Sequence, residues 1–235
     1  GACLAQATNS FAQDAAESAT LEKLGLDLEY QSDGSLSVKQ SYYFTEEAKL
    51  GSEFKTWIRD SQRGAFFHQA YQIQIVRVSG AADIPITFET ERSSDGLYVV
   101  IPDPTEYFLT GRELHVFYTM SGMFSQDVYK GAFFENEDLT GPIKTIGVQL
   151  KDSTNGPLAI ESFEHQLYSL DKEVPLNPIK QDPRHLIFEV KEIPMVFPVR
   201  FEVNRLQVLG GSENPGLSTS LQRFIFTNLW FIGPL

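Results

Sequence analysis

The sequence predicts an all-β chain of antiparallel β-sandwich modules, two in tandem. Three observations predict it. Apolar and polar residues alternate with period two over many short runs, and Gly, Pro, Asn and Asp punctuate the gaps between those runs. Aromatic residues are 12% of the 235, led by 18 Phe and 9 Tyr, a globular composition tilted toward strands.

The pattern is clearest at the start. "LDLEY" alternates apolar and acidic residues, and after Asp33-Gly34 the alternation resumes at Leu36, Val38, Tyr42 and Phe44. Asp-Gly tolerates the positive φ of tight turns, so residues 26–44 are expected to form an antiparallel hairpin with those four side chains on one face. "TEEAKLGSEFKTWIRDSQRG" is too polar and irregular for a clean strand. "AYQIQIVRV" puts Tyr71, Ile73 and Ile75 on one face and then changes phase at Val76 and Val78, as a β-bulge would. "PITFETE" and "GLYVVI" flank "RSSDG" as a second hairpin. In "RELHVFYTM" Leu114, Val116 and Tyr118 alternate with His115 and Phe117, so both faces are at least partly covered.

"TIGVQL" alternates Ile146, Val148 and Leu150 and runs into "KDSTNGP", the expected domain boundary between 150 and 158. Beyond it "LAIESFEHQLYSL", "HLIFEV", "MVFPVRFEV" and "LQVL" read as strands. Pro198 removes a backbone donor, which places the strand carrying Met195, Phe197, Val199, Phe201 and Val203 at a sheet edge. Only residues 10–25 look helical. The expected organisation is a tail over 1–21, a β-sandwich module over 22–152, a smaller β module over 156–222 and an apolar segment over 223–235.

Composition excludes some activities. A net charge of −12 repels phosphate backbones, so nucleic acid is not an expected partner. Cys3, the only cysteine, cannot form an internal disulfide. Its setting "GACLAQA" resembles a signal-peptide end or a lipoprotein lipidation site, against the plain reading of an unremarkable thiol. "RFIFTNLWFIGPL" reads equally as a last buried strand or as the approach to a membrane helix, with Trp230 at the interface.

No phosphate-binding glycine loop, zinc-protease helix motif, paired C-x-x-C or nucleophile elbow is present. His68, His115, His165 and His185 are scattered, so no metal site and no cofactor are expected. "ENED", residues 135–138, lacks the spacing of a calcium loop and reads as a solvated turn. If the chain were a glycan hydrolase acting through two carboxylates, Glu113, Glu135 and Asp138 would be the candidates. Adjacent aromatics at Tyr42–Phe44, Phe66-Phe67 and Phe133-Phe134 must point to both faces of their strands. Covered on the second face they are structural; exposed, they bind a partner, and Tyr43, Trp57 and Phe67 are the expected binding residues.

The order of the motifs resembles a family. "DGSLSVKQSYYF", "WIRDSQRG", "YQIQIVRVSG", "DGLYVVIPDPTEYFLTGRELHVFYTMSGMF" and "FFENEDLTGPIKTIGVQL" together look like the extracytoplasmic region of the bacterial membrane proteins catalogued as domain of unknown function 2207. The matching positions are Asp33, Gly34 and Val38; Arg59; Leu114, Val116 and Tyr118; and Phe134, Asn136, Gly141, Pro142 and Ile143. The likeness spans roughly residues 22–210. The tryptophans usual in the last element are absent, its loop is shorter, and the family's transmembrane and cytoplasmic parts are not in this chain. The resemblance implies an extracytoplasmic, membrane-anchored module with no attached activity. The expected function is therefore a noncatalytic domain that mediates binding or assembly with a membrane protein or envelope partner. An accessory subunit of a membrane complex and the glycan hydrolase are the alternatives.

Overall fold

The computed structural model describes residues 21–63, 68–94, 96–109, 111–122, 130–134, 139, 141–153, 163–182, 184–191 and 195–205. In chain order its strands are β1 (Leu21–Tyr30), β2 (Leu36–Phe44), β3 (Glu53–Arg59), β4 (Ser61–Arg63), β5 (His68–Ala70), β6 (Gln72–Ser79), β7 (Glu89–Arg92), β8 (Gly96–Pro102) and β9 (Glu113–Ser121). They continue as β10 (Lys130–Phe133), β11 (Pro142–Asp152), β12 (Phe163–Ser169), β13 (Lys172–Val174), β14 (Pro178–Asp182), β15 (His185–Val190), β16 (Met195–Val196) and β17 (Val199–Arg205).

One large sheet runs β14-β15-β11-β1-β2-β9-β6, with β16 also paired to β11. β1 and β11 are parallel; the other ladders of this sheet are antiparallel. A three-stranded sheet (β3-β8-β7) and a four-stranded sheet (β10-β17-β12-β13) form the facing layer, and β4-β5 make a separate hairpin. Ring contacts join the layers. Tyr42 meets Phe54 of β3 edge-on at 5.1 Å, and Tyr30 stacks on Phe163 of β12 at 5.3 Å. β10 approaches β3, so the two smaller sheets sit side by side over one core. The chain is nearly all β, as expected.

The opening hairpin forms as the alternation requires. Leu36, Val38, Tyr42 and Phe44 are all buried against the facing layer. Gly34 takes φ 81°, Gly34 N–H donates to Gln31 O, and Gln31 N–H donates to Ser35 O, the pattern of a three-residue loop with a bulge. Ser35 donates from its hydroxyl and its amide to Asp33, which holds that carboxyl below its ordinary range. Within the core face Gln40 is an exception to the apolar pattern. Its amide donates to Tyr118 OH at 2.9 Å and accepts from Tyr42 OH, which also meets Thr56 Oγ1 of β3 at 2.8 Å. A buried amide is tolerated here because the Tyr118 and Tyr42 hydroxyls satisfy it, and Thr56 in turn holds the Tyr42 hydroxyl.

Four expectations are corrected. The helical reading of 10–25 fails where it can be seen, because β1 begins at Leu21. The Leu21–Leu24 spacing that looks helical arises at a register shift between Leu21 and Lys23, and residues 10–20 lie outside the described residues. The polar stretch before Arg59 contains a strand: β3 buries Phe54, Thr56 and Ile58, with charged neighbours facing out. The single edge strand expected through Pro198 is two strands, a short β16 paired on one side and an interior β17, with Pro198 between them. The chain changes sheets there, leaving β16 on β11 and putting β17 between β10 and β12. Met195, Phe197, Val199, Phe201 and Val203 are nonetheless all buried.

The fourth concerns the boundary. β15 lies along β11, and β17 pairs with β10, so strands from both sides of residues 150–158 build both layers. The expected modules at 22–152 and 156–222 do not coincide with the hydrogen-bonded sheets. "KDSTNGP" has the composition of a turn, and turn composition does not say which sheet the next strand joins. The bulge expected at Val76 is present: the β6–β9 register shifts between Ile75 and Arg77, and Val76 is 59% exposed.

Candidate functional site

The two outer faces of the sandwich carry the chemistry, and strand alternation decides which residue reaches which face. Tyr42 points inward toward Phe54, so Tyr43 points out from the large sheet. Thr56 points inward toward Tyr42, so Trp57 points out from the three-stranded sheet. The two expected binding residues therefore lie on opposite sides of the sandwich and do not share a surface. Phe67 lies outside the described residues.

On the three-stranded sheet, Trp57 and Tyr98 are cross-strand partners, stacked at 6.4 Å with 29° between rings. The Arg59 guanidinium sits 5.0 Å from the Trp57 ring centre. Gly96 makes this arrangement possible, because the indole lies across its bare backbone. A Cβ there would come within 2.0 Å of Trp57 Nε1 and 2.7 Å of the Ile58 carbonyl oxygen. Gly96→Ala is accordingly expected to cost about 1–3 kcal/mol by overpacking and to turn the indole off the sheet. A lowered urea midpoint with shifted Trp57 emission, read in a Trp230→Phe background, is the check; an unchanged midpoint and spectrum would contradict it. Lys55 bridges Glu53 at 3.2 Å and Glu91 at 3.5 Å, and Arg92 pairs with Asp60 at 2.8 Å. These exposed pairs frame the aromatic patch and add little stability.

On the large sheet, Tyr43, His115 and Phe117 form a ladder of edge contacts, at 5.6 Å and 6.3 Å. Lys23 lies 5.9 Å from the Tyr43 ring, Lys39 5.3 Å and Arg77 4.0 Å from that of Phe117. Half-burial, helped by the Glu113 carboxylate, raises the Tyr43 hydroxyl above its ordinary pKa. His115, 5% exposed, contacts Ser41 Oγ through Nδ1 at 3.0 Å and Glu113 Oε2 through Nε2 at 3.7 Å. Burial, then the Lys39 charge, lowers the imidazole pKa against the opposing pull of Glu113 and Asp83.

Ser41, His115 and Glu113 are the residue types of a hydrolytic triad. Ser41, however, is 4% exposed and sits in the middle of β2, an interior strand paired with both β1 and β9. Its neighbouring amides are committed to those ladders, leaving no donor for an oxyanion among the described residues. The trio acts as a packed polar network. Of the three candidate carboxylates, Glu113 belongs to this network; Glu135 and Asp138 lie outside the described residues.

His165 faces the core beside Phe201, and His185 lies on β15; only the backbone of His68 is described. Among the described residues no group of three or more His, Cys, Asp or Glu could hold a metal. No described helix is long and apolar enough to cross a membrane; residues 1–20 and 206–235 are outside that search. Tyr98, Lys39 and Arg77 went unmarked in the sequence. Their places follow from cross-strand register, and a period-two pattern gives the face of a residue but not its neighbour on the next strand.

Together these features define a β-sandwich with a stacked aromatic patch on one outer face and a mixed aromatic and charged surface on the other. No family model matches the chain, and no curated protein does either. Among solved structures it is similar to a candidate protease from Parabacteroides distasonis, with 13% identity, a TM-score of 0.47 and 82% of this chain covered. This chain spans 41% of that protein's length.

Proposed function

We propose that the chain is a noncatalytic binding module of a membrane-associated assembly, engaging a protein partner through the outer face of its three-stranded sheet. The observation that carries this reading is the patch of Trp57, Tyr98 and Arg59 held together on the outward face of the sheet. Trp, Tyr and Arg are the residues that dominate protein interfaces, because they desolvate a large area at small conformational cost. The resemblance to the membrane-protein family and the signal-like "GACLAQA" support an extracytoplasmic position next to a membrane. The partner is then a membrane or envelope protein.

The test uses the full-length protein in its own membranes. Tyr98→Ala with Arg59→Ala removes half-buried groups on the outer face and leaves the core residues Phe54, Thr56 and Ile58 in place. Association with the partner should weaken by about 2 kcal/mol or more, roughly thirtyfold. Trp57 itself is a poor probe, since its indole packs on Gly96 and its removal mixes stability with binding. Unchanged association in the double variant would refute the assignment of this face.

A further inference from the structure

The outer face of the large sheet, opposite the proposed protein-binding patch, holds a shallow depression of about 320 Å³. Its size is at the lower end of small-molecule sites. Strand pairing explains its composition. One register row runs Gln149, Asp27, Lys39, Phe117 and Arg77 across β11, β1, β2, β9 and β6, and the adjoining row runs Lys151, Glu29, Ser37 and Thr119. Every one of these side chains points outward, because Leu28, Val38 and Tyr118 between them are buried in the core.

The surface has two properties at once. Arg77 lies 4.0 Å from the Phe117 ring centre, so the guanidinium rests over the ring, which supports it as a planar surface. Around it, carboxylates that only accept alternate with ammonium groups that only donate, and Gln149 does both. Lys39 and Lys151 form no ion pair with a described residue, and the Lys39 ammonium lies 5.3 Å from the Phe117 ring centre. A simple polyanion is disfavoured, because Asp27 and Glu29 sit among the cations. Sugar hydroxyls each donate and accept, and the ring faces of sugars are apolar, so a glycan satisfies the platform and the alternating polar groups together.

From this match we infer that the large-sheet face is a glycan-binding site, taking a short neutral or weakly acidic oligosaccharide across β1, β2 and β9. The Arg77 guanidinium, backed by the Phe117 ring, forms the stacking platform, and Asp27, Lys39 and Gln149 bond the hydroxyls.

The experiment titrates the full chain with three defined probes: a neutral hexose oligomer, an N-acetylhexosamine oligomer and a uronate-containing oligomer. Backbone amide shifts map the contacts. The expected result is saturable binding of at least one probe, with shifts at residues 27–29, 37–39 and 117–119. Asp27→Asn at an exposed position and Lys39→Gln at a partly exposed one, which each remove a charge, should each weaken it tenfold or more; Phe117→Leu should do the same, with its melting temperature recorded. No binding by any probe, or binding that both polar variants leave unchanged, overturns the inference. So does binding that follows only uronate charge and disappears with added salt, which would be nonspecific electrostatic attraction. A concentration-dependent dimer abolished by the same substitutions would give the face to a second copy of this chain instead.

Discussion

Replacing Phe201 with Ala is expected to remove about 3–5 kcal/mol of stability. Phe201 is fully buried in β17, opposite Phe133 of β10 and Leu167 of β12, and its ring stacks on His165 at 6.1 Å. Truncation removes the transfer energy of the ring and leaves a cavity between elements that cannot close over it, because both neighbouring strands are held by backbone ladders. Urea unfolding gives the size of the effect, and a loss under 1 kcal/mol would contradict the packing described. The same variant tests how the chain is divided. β10 and β17 come from opposite sides of residues 150–158, so amide-exchange protection should fall in β11 and β15 as well as in β12. Loss confined to residues after 163 would restore two independent modules.

Acidification should destabilise the fold through His165. Burial among Phe201 and Phe188 pushes its pKa down to about 4 from 6.5, and its Nε2 has no hydrogen-bond partner among the described residues. The unfolded chain takes up a proton near pH 6.5, whereas the folded chain resists it until about pH 4. Stability from the neutral imidazole is therefore complete above pH 6.5 and is lost progressively as pH falls to 4, by about 3 kcal/mol. Carboxylates titrate over part of the same range, so the comparison is with His165→Leu, which fills similar space without a titrating group. The wild-type chain should lose about 3 kcal/mol more than the variant between pH 7 and pH 4. Parallel stability curves for the two proteins would refute the role given to His165.

Much of the sandwich was legible because its strands bury one face each, and a period-two pattern then records burial directly. Leu36, Val38, Tyr42 and Phe44 behave this way, as do Ile146, Val148 and Leu150. The pattern fails where a polar residue occupies a core position or a bulge changes the period. Thr56 belongs to the core through its bond with Tyr42, yet between Lys55 and Trp57 it hid β3 in an apparently polar stretch. The bulge near Leu21 imitated a helical spacing, while the one at Val76 announced itself because apolar residues continue on both sides. Long-range pairing was not legible. Nothing local in "TIGVQL" says that β11 runs parallel to β1, and nothing in Pro198 says that the chain changes sheets there.

The candidate site was legible by residue type only. Tyr43 and Trp57 are outward aromatics, as their strands require, but the sequence could not place them on opposite faces. That separation depends on Tyr42 and Thr56 meeting across the core. Tyr98 joins Trp57 through β3–β8 register, and Arg77 joins Phe117 through β6–β9 register with a bulge between. Spacing along one strand encodes neither pairing.

The central claim is that a protein partner docks on the outer face of the three-stranded sheet. Its most direct test places a photoreactive benzoylphenylalanine at position 98 of the full-length protein and irradiates it in its own membranes. A control carries the same group at Thr145, outward on the large sheet. The account predicts one protein adduct of defined mass from position 98 and none from position 145. Adducts from position 145 alone, or none from position 98, would contradict it.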